Sequence, residues 1–539
     1  MWRRSAMVLA ALALLGCSAQ TGRAGTIPAG SVPTGSVTVT PPCKVGAPAA
    51  GPVPKLVPVP VSLQVTAGSY ALTAQTRIIA RQDAGLPAAT YLAKLLRRST
   101  GFPLPVANSG TGIVLDASGE AALGQEGYRL GVGDCGVVLT ANTGEGLFRG
   151  VQTLRQLLPA KVESPSAQHG PWHIGGVQIT DSPRFAYRGV MLDVARHFFS
   201  VAQVEDYLDR AVAYKVNTFH LHLSDDQGWR IAINSWPRLA TVGGRSSVHG
   251  DPGGYFTQSD YSAIVQYAKE RFITVIPEID GPGHTNAALA SYAKLNCDGH
   301  ARPPYTGTSV GFSSLCTGKA ITYQFLDDVL GELAALTPGP YLNIGGDEAK
   351  TTKNPDYLAY MGKVQQLVRK HGKSLMGWEE IGGAKISSDS VAEHWNPFTG
   401  TQAGTEVARQ AVAKGVKLVM APADHAYLDM KYTVGSRLGT QWAGHVEVRQ
   451  SYAWDPAKLI TGVGESHVLG VEAPIWTETI KTPADLQYMA YPRLPGIAEI
   501  GWSPASSHSW PSYRLRLAAQ GARWTAAGLT FYHSPQVPF

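Results

Sequence analysis

Two carboxylates stand side by side at positions 347 and 348, directly after an apolar run and two glycines (Tyr-Leu-Asn-Ile-Gly-Gly-Asp-Glu at 341–348). Glycines allow a tight turn and the close approach of a ligand. A positioned carboxyl group can transfer a proton or offset a developing positive charge. Because neighbouring residues of an extended chain point to opposite sides, we expect Asp347 and Glu348 to have different roles. The alternative is a solvated acidic pair that only ends a strand.

Histidines mark two further segments. Residues 220–230 read His-Leu-His-Leu-Ser-Asp-Asp-Gln-Gly-Trp-Arg, in which His220 and His222 share one strand face. Residues 277–284 end in Gly-Pro-Gly-His, a turn that would aim His284, and Asp225 could orient its ring. A His-x-His pair can bind a metal, but this needs further ligands. We find no such set at the later strand ends, so we predict neither a metal nor another cofactor.

The elements that must bring these groups together follow a repeating pattern from residue 187 onward. Apolar runs alternate with helix-length stretches such as 201–215 and 259–269, which predicts a (β/α)8 TIM barrel. The eight predicted strands are 188–194, 218–223, 273–279, 341–344, 374–377, 391–394, 417–421 and 468–475.

A polar or aromatic residue follows nearly every predicted strand. A TIM barrel places its active site at the carboxyl ends of its strands, so we expect these residues to meet there. They are Arg196, Asp225, His284, Asp347, Glu348, Trp378, Trp395, Tyr427, Asp429, Trp476 and Glu478.

A smaller α+β domain precedes the barrel. Its predicted strands are 57–65, 76–81, 112–116, 128–132 and 137–141, and its predicted helices are 87–98 and 145–158. We see no titratable cluster in it and expect a structural role. The domain boundaries we predict are 53–183 for this domain, 184–505 for the barrel, and 506–539 for a C-terminal helical segment, of which 512–539 packs on the barrel as a helix.

The three motifs, in this order, resemble those of glycoside hydrolase family 20, the β-N-acetylhexosaminidases, and most of all the secreted actinobacterial (Streptomyces-type) members. The resemblance covers most of the chain, and no motif position departs from it. It implies that Glu348 is the general acid/base and that Asp347 orients the 2-acetamido group of the substrate. It also implies that Tyr427 hydrogen-bonds the acetamido oxygen and that His284 and Asp225 support Glu348.

The resemblance also assigns the sugar-binding residues. Indole rings would wall the pocket and polar groups would hold the ring hydroxyls: Trp378, Trp395, Trp476, Arg196, Glu478, Asp429 and Trp442. The expected activity is exo-hydrolysis of terminal β-linked GlcNAc or GalNAc from oligosaccharides such as chitooligosaccharides. The configuration would be retained, because the substrate's acetamido group acts as nucleophile.

Two other functions stay open at this stage. A non-catalytic cell-surface protein could keep the pocket only to bind amino sugars. A metal-dependent barrel hydrolase could use His220 and His222.

The first 17 residues resemble an export signal. Two arginines precede an apolar run that is too short to span a bilayer. The run ends in Leu-Leu-Gly-Cys, which resembles a lipobox with Cys17 as the lipidated residue; cleavage after Ala19 or Ala24 is the alternative. Residues 18–52 are rich in Gly, Pro, Thr and Ser and are predicted to form a flexible linker. We therefore expect an extracellular protein, secreted or lipid-anchored.

Four further cysteines are an even number in an exported chain, which favours disulfides. Cys297 and Cys316 flank a Gly/Pro/Ser-rich loop, so we pair them, and this leaves Cys43 with Cys135. The net charge of +6 is spread among 46 basic and 40 acidic residues without basic blocks, which argues against a nucleic-acid partner. The expected partner is an oligosaccharide, with a membrane contacted only through the lipid anchor.

Overall fold

The N-terminal domain is a mixed seven-stranded sheet in the computed structural model, which describes residues 46–397 and 402–539. The strand order is β1-β7-β5-β6-β4-β2-β3, and two helices pack against the sheet. Its elements are β1 (Ser62–Ala71), β2 (Ile78–Ala80), α1 (Leu86–Thr100), β3 (Val106–Ala107), β4 (Ile113–Asp116), β5 (Tyr128–Gly133), β6 (Gly136–Ala141), α2 (Gly144–Leu157) and β7 (His173–Asp181).

Three strands of this domain differ from the prediction. The first strand, predicted at 57–65, begins only at Ser62, because Pro58 and Pro60 lack the backbone N–H that a sheet ladder requires. The two-residue strand β3 was not predicted, and neither was β7, which lies between β1 and β5 in the sheet. The two adjacent glycines of β7, Gly175 and Gly176, obscure the apolar alternation that marks a strand.

Eight parallel strands then close into a barrel, as predicted. All eight apolar runs form strands, and the last one pairs with the first through a six-residue parallel register. The strands are β8 (Tyr187–Asp193), β9 (Thr218–His222), β10 (Thr274–Glu278), β11 (Tyr341–Asn343), β12 (Ser374–Trp378), β13 (Val391–His394), β14 (Lys417–Met420) and β15 (Val468–Ile475).

Helices surround the barrel and bury their apolar faces against its strands. A capping box begins α4, in which the Thr257 hydroxyl accepts from the backbone N–H of Asp260 at 3.1 Å. The helices are α3 (Val201–Val212), α4 (Gln258–Lys269), α5 (Asn286–Ser291), α6 (Ala320–Leu336), α7 (Asn354–Lys370), α8 (Gln402–Ala413), α9 (Val448–Tyr452), α10 (Pro483–Ala490), α11 (Leu494–Trp502) and α12 (Trp510–Ala526).

A buried ionic cluster joins the N-terminal domain to the amino ends of the barrel strands. Glu126 accepts hydrogen bonds from Arg149 of α2 at 2.8 Å and from Arg188 of β8 at 3.0 Å. Arg149 also donates to the carbonyl of Phe272, just before β10, at 2.8 Å. The expectation that this domain has no titratable cluster is therefore wrong. The cluster lies at the barrel end opposite the carboxyl ends of the strands.

The C-terminal segment is only partly helical. Helix α12 ends at Ala526, and Gly528 follows with φ of +69°, so the helix predicted over 512–539 is wrong beyond residue 526. The Trp524 indole N–H donates to the Tyr214 hydroxyl at 2.7 Å, which holds α12 beside the end of α3.

Cys297 and Cys316 form the predicted disulfide. Cys17 and Cys43 lie outside the described residues, so lipidation and the pairing of Cys43 with Cys135 stay predictions. Across residues 46–397 and 402–539, every helix falls short of the length and apolarity that crossing a membrane requires. The predicted boundary at 183/184 falls in the connection between β7 and β8.

Candidate active site

A cavity of about 580 Å³ opens at the carboxyl ends of the barrel strands. Every predicted site residue except Asp225 lines it, namely Arg196, His284, Asp347, Glu348, Trp378, Trp395, Tyr427, Asp429, Trp442, Trp476 and Glu478. Asp225 is buried behind the lining, where it contacts Arg196 and His284. The lining also includes five residues that the sequence did not single out: His249, Thr308, Val310, Thr440 and Thr479.

A sharp turn after β11 presents the two carboxylates. The strand ends at Asn343, and Gly345 and Gly346 follow with φ of +64° and +104°. A Cβ on Gly345 would lie 1.7 Å from Asp280 Oδ1, so only glycine fits there. Glu348 itself has φ of +43°, a strained value for a residue with a side chain.

This turn overturns the expectation that Asp347 and Glu348 face opposite directions. That argument holds for extended chain, and these residues are not extended. Both carboxylates approach the same nitrogen: His284 Nε2 is 3.4 Å from Asp347 Oδ2 and 3.6 Å from Glu348 Oε2.

His284 connects these carboxylates to Asp225. Its Nδ1 lies 3.2 Å from Asp225 Oδ1, and the Asp225 Oδ2 atom lies 2.8 Å from Arg196 Nη2. Burial lowers the pKa of His284, but the charges of Asp225 and Asp347 outweigh this and raise it well above its ordinary value. The ring is therefore an imidazolium, which stabilises negative charge on either neighbouring carboxylate.

Glu348 has a second cationic neighbour at the mouth of the cavity. Lys350 Nζ donates to Glu348 Oε1 at 2.7 Å. Burial raises the pKa of Glu348, but the nearby His284 and the hydrogen bond from Lys350 bring it below its ordinary value. Glu348 is therefore ionised at neutral pH.

Asp347 presents an unused acceptor to the cavity. Its Oδ1 atom is buried and has no hydrogen-bond partner in the described parts of the chain. A buried carboxylate oxygen without a donor is costly, so it is the natural acceptor for a ligand N–H or O–H.

Five aromatic rings line the same cavity as Asp347: those of Trp378, Trp395, Tyr427, Trp442 and Trp476. Trp476 lies between Trp378 and Tyr427, with ring centroids 5.6 and 6.3 Å away. Tyr427 in turn packs edge-on against Trp442 at 5.9 Å. Such walls exclude water and suit an apolar methyl group or the face of a sugar ring.

Polar groups close the inner end of the cavity. Arg196 and Asp429 are 3% and 2% exposed, whereas Trp442 at the opposite end is 54% exposed. Burial and the charge of Glu478 raise the pKa of Asp429 to about 8, so its carboxyl group is largely protonated at neutral pH. The inner end therefore offers both donors and acceptors to a polar ligand.

His220 and His222 lie inside the barrel, below the cavity. The expectation that later strands offer no carboxylates near them is wrong, because Glu278, Glu393 and Glu472 surround His220. Its two nitrogens lie 2.8 and 2.9 Å from Glu472 and Glu278 oxygens. Two ligands of one tetrahedral metal lie about 3.4 Å apart, so these contacts have hydrogen-bond geometry.

Two of the five cavity-lining residues that the sequence analysis did not single out belong to the same loop. Thr308 and Val310 belong to the long loop between Cys297 and Cys316, which follows β10. The residue types of Thr308 and Val310 match no functional motif. A loop that follows a parallel barrel strand nevertheless lies at the active-site end, whatever its sequence. That topological signal was present in the sequence.

Comparisons with known proteins agree with this geometry. The model of the glycosyl hydrolase family 20 catalytic domain matches residues 185–356 and 353–505, and the model of domain 2 of that family matches residues 53–182. A β-N-acetylhexosaminidase of Cellulomonas fimi is 38% identical over 488 residues, which cover 89% of this chain and 96% of the relative.

Solved structures give the same assignment. The family 20 β-N-acetylhexosaminidase of Streptomyces coelicolor A3(2) is 53% identical, with a TM-score of 0.89 over 91% of this chain and 99% of that one. A mutant β-hexosaminidase of Streptomyces plicatus in complex with its product GlcNAc is 54% identical, with a TM-score of 0.89 over 92% of this chain and 99% of that one. The chain therefore belongs to glycoside hydrolase family 20 and is a β-N-acetylhexosaminidase.

Proposed function

We propose that this enzyme removes terminal non-reducing β-linked GlcNAc or GalNAc from oligosaccharides such as chitooligosaccharides, and that the substrate's own 2-acetamido oxygen is the nucleophile. The observation that carries the proposal is that Asp347 lines the cavity together with the aromatic rings and that its Oδ1 atom has no hydrogen-bond partner among the described residues. An acetamido N–H would satisfy this oxygen, and the acetamido methyl group would contact the indole rings.

The reaction proceeds in two displacements at the anomeric carbon. Glu348 donates a proton to the glycosidic oxygen while the acetamido oxygen attacks, so the aglycone leaves and an oxazolinium ion forms. Asp347 offsets the positive charge on the acetamido nitrogen, and Tyr427 hydrogen-bonds the acetamido oxygen. Glu348 then takes a proton from water, which opens the ring with net retention.

Exo action is supported by the shape of the cavity. Its inner end is closed by the buried side chains of Arg196 and Asp429 and by the partly buried Glu478, and Trp442 lies exposed at the mouth. A chain end fits such a cavity, whereas an internal sugar would need an exit for both neighbouring units. The bound GlcNAc of the Streptomyces plicatus enzyme supports the choice of terminal sugar.

The test compares aryl β-GlcNAc, aryl β-GalNAc and aryl β-glucoside under the same conditions. We expect turnover of the first two, retained product configuration by NMR, strong inhibition by a thiazoline analogue of the oxazolinium ion, and no turnover of the glucoside, which lacks the nucleophile. Comparable hydrolysis of the glucoside, inverted product, or a covalent sugar ester on any Asp or Glu would refute the mechanism.

We also propose that the enzyme is exported and tethered to the outer face of the membrane through Cys17. The support is the lipobox-like sequence at residues 14–17 and the Gly/Pro/Thr-rich linker after it. Cys17→Ser should move the enzyme from the membrane fraction to the medium. A wild-type mature protein that begins beyond Cys17 and carries no lipid would contradict the tether.

A further inference from the structure

Glu278 lies at the centre of a fully buried cluster behind the aromatic rings that line the cavity. Its Oε2 atom is 2.9 Å from His220 Nε2 and 2.5 Å from His222 Nδ1. Its Oε1 atom accepts the indole N–H of Trp378 at 2.9 Å. Glu278, His220 and His222 are all 0% exposed, so both carboxylate oxygens are committed to protein partners.

The cluster reaches the active site along two routes. The first is Trp378 itself, which lines the cavity. The second runs through His222, whose Nε2 is 2.9 Å from Asp225 Oδ2, to the ring of His284 beside the catalytic carboxylates. Burial lowers the pKa of His222, but the charge of Glu278 and the hydrogen bond to Asp225 raise it well above its ordinary value. The ring is charged and donates from both nitrogens.

We propose that Glu278 is a positioning residue for the hydrolysis, because it fixes Trp378 on one side of the reacting acetamido group and, through His222, the Asp225–His284 pair on the other. This inference rests on the proposed substrate-assisted reaction. Intramolecular attack depends on a well-aligned near-attack conformer, so a small shift of one wall costs a large factor in rate. Without Glu278 the indole N–H of Trp378 would also be buried without an acceptor.

The primary test is Glu278→Gln, with Glu393→Gln as the matched control. Glu393 is equally buried in the same barrel, and burial and Glu472 raise its pKa well above its ordinary value, so glutamine closely mimics its neutral carboxyl group. We expect Glu278→Gln to lower kcat for aryl β-GlcNAc by roughly 10- to 100-fold with KM changed less than about threefold. Thiazoline affinity should fall with kcat while GlcNAc affinity does not, and Glu393→Gln should stay within about twofold of wild type.

A double-mutant cycle separates positioning from general damage. Trp378→Phe removes the indole N–H that Glu278 accepts and also reduces the cavity wall, so the loss of kcat in the combined variant should be smaller than the product of the two single losses. Multiplying losses would show that the two residues act independently and would overturn the first route. Equal losses in Glu278→Gln and Glu393→Gln, or kcat of Glu278→Gln within twofold of wild type, would overturn the whole proposal.

A measurement on the wild-type enzyme keeps the proposal testable if Glu278→Gln does not fold. In ¹⁵N-tryptophan-labelled protein, the indole signal that disappears in Trp378→Phe should lie downfield and exchange with solvent over hours. Exchange within minutes would contradict a persistent bond to Glu278. Wild-type enzyme that resists the thiazoline analogue would instead refute the proposed function, whereas a thiazoline-sensitive wild type with an unaffected Glu278→Gln variant would refute only this inference.

Discussion

At the scale of single residues, Asp347 and Glu348 differ in their neighbours within the protein. Asp347 keeps one oxygen without a donor in residues 46–397 and 402–539, whereas Glu348 lies between two cations. Asp347 can therefore accept a hydrogen bond from a substrate N–H, and Glu348 must gain a proton when the substrate binds. Substrate binding excludes water from Glu348, which raises the pKa of a carboxyl group and favours its acid form.

Asp347→Asn keeps the shape of the side chain and removes its charge. We expect kcat for aryl β-GlcNAc to fall about 100-fold or more, because preorganised stabilisation of the oxazolinium charge is lost. Asp356→Asn, an exposed carboxylate in the first turn of α7, is the control and should behave as wild type. A near-normal kcat in Asp347→Asn would mean that the residue serves only the turn after β11.

Lys350→Ala tests the electrostatic control of Glu348 through the pH profile. Lys350 helps to hold the pKa of Glu348 below its ordinary value, so its removal should raise that pKa. An acid with a higher pKa stays protonated to higher pH, and the basic limb of kcat/KM should therefore move to higher pH. Lys385 is exposed, and Lys385→Ala is the control that should leave the basic limb of kcat/KM where it is. If Lys350→Ala also leaves this limb unchanged, a group other than Glu348 is the acid.

At the scale of elements, the loop between Cys297 and Cys316 carries Thr308 and Val310 to the cavity mouth. The disulfide closes this loop and limits its freedom in the unfolded chain, a contribution of about 3 kcal/mol for a loop of this length. Because the loop borders the mouth and not the inner end, its position should matter most for long substrates.

Cys297→Ser/Cys316→Ser should therefore lower the urea midpoint and raise KM for a chitooligosaccharide several-fold, with kcat for aryl β-GlcNAc nearly unchanged. Either single substitution should match the double variant, because each breaks the same bond. Equal effects on long and short substrates would argue that the loop only stabilises the fold.

At the scale of the whole molecule, the ionic cluster of Glu126, Arg149 and Arg188 couples the N-terminal domain to the barrel. Burial raises the pKa of Glu126, but Arg188 and Arg149 lower it from 4.5 to about 2. The folded state thus binds fewer protons than the unfolded state between these values. The resulting stabilisation, roughly 3 kcal/mol, is fully present above pH 4.5 and is lost as the pH falls toward 2.

Glu126→Gln leaves two buried guanidinium groups without this charge, so the free energy of unfolding at pH 7 should fall by roughly 3–5 kcal/mol. Between pH 4.5 and 2, the free energy of unfolding should also fall less steeply in the variant than in the wild type, because Glu126 no longer takes up a proton. Glu120→Gln is the control, because its ion pair with Arg129 is exposed (63% and 51%) and should contribute little. Similar unfolding curves for both variants would contradict a coupling role for the junction.

The sequence by itself determined the barrel and most of the site. A buried parallel strand is an apolar run, and the residue after each run lies at the carboxyl end of the barrel, so local pattern was sufficient to place Arg196, His284 and Trp476 together. The three motifs, whose spacing resembles family 20, added roles that local pattern does not carry. Neither the local pattern nor the motifs depends on knowing which distant segments contact each other.

Only the tertiary structure decided which buried charges meet. Glu278, His220 and Glu472 come from β10, β9 and β15, and Glu126 meets Arg188 across the domain junction, 62 positions away. No single segment indicates which of these charges will meet, because their pairing depends on barrel closure and domain packing. The direction of Asp347 and Glu348 also depends on tertiary packing. Asp280 lies so close to Gly345 that no side chain fits there, and the chain turns with positive φ at Gly345 and Gly346 instead of staying extended.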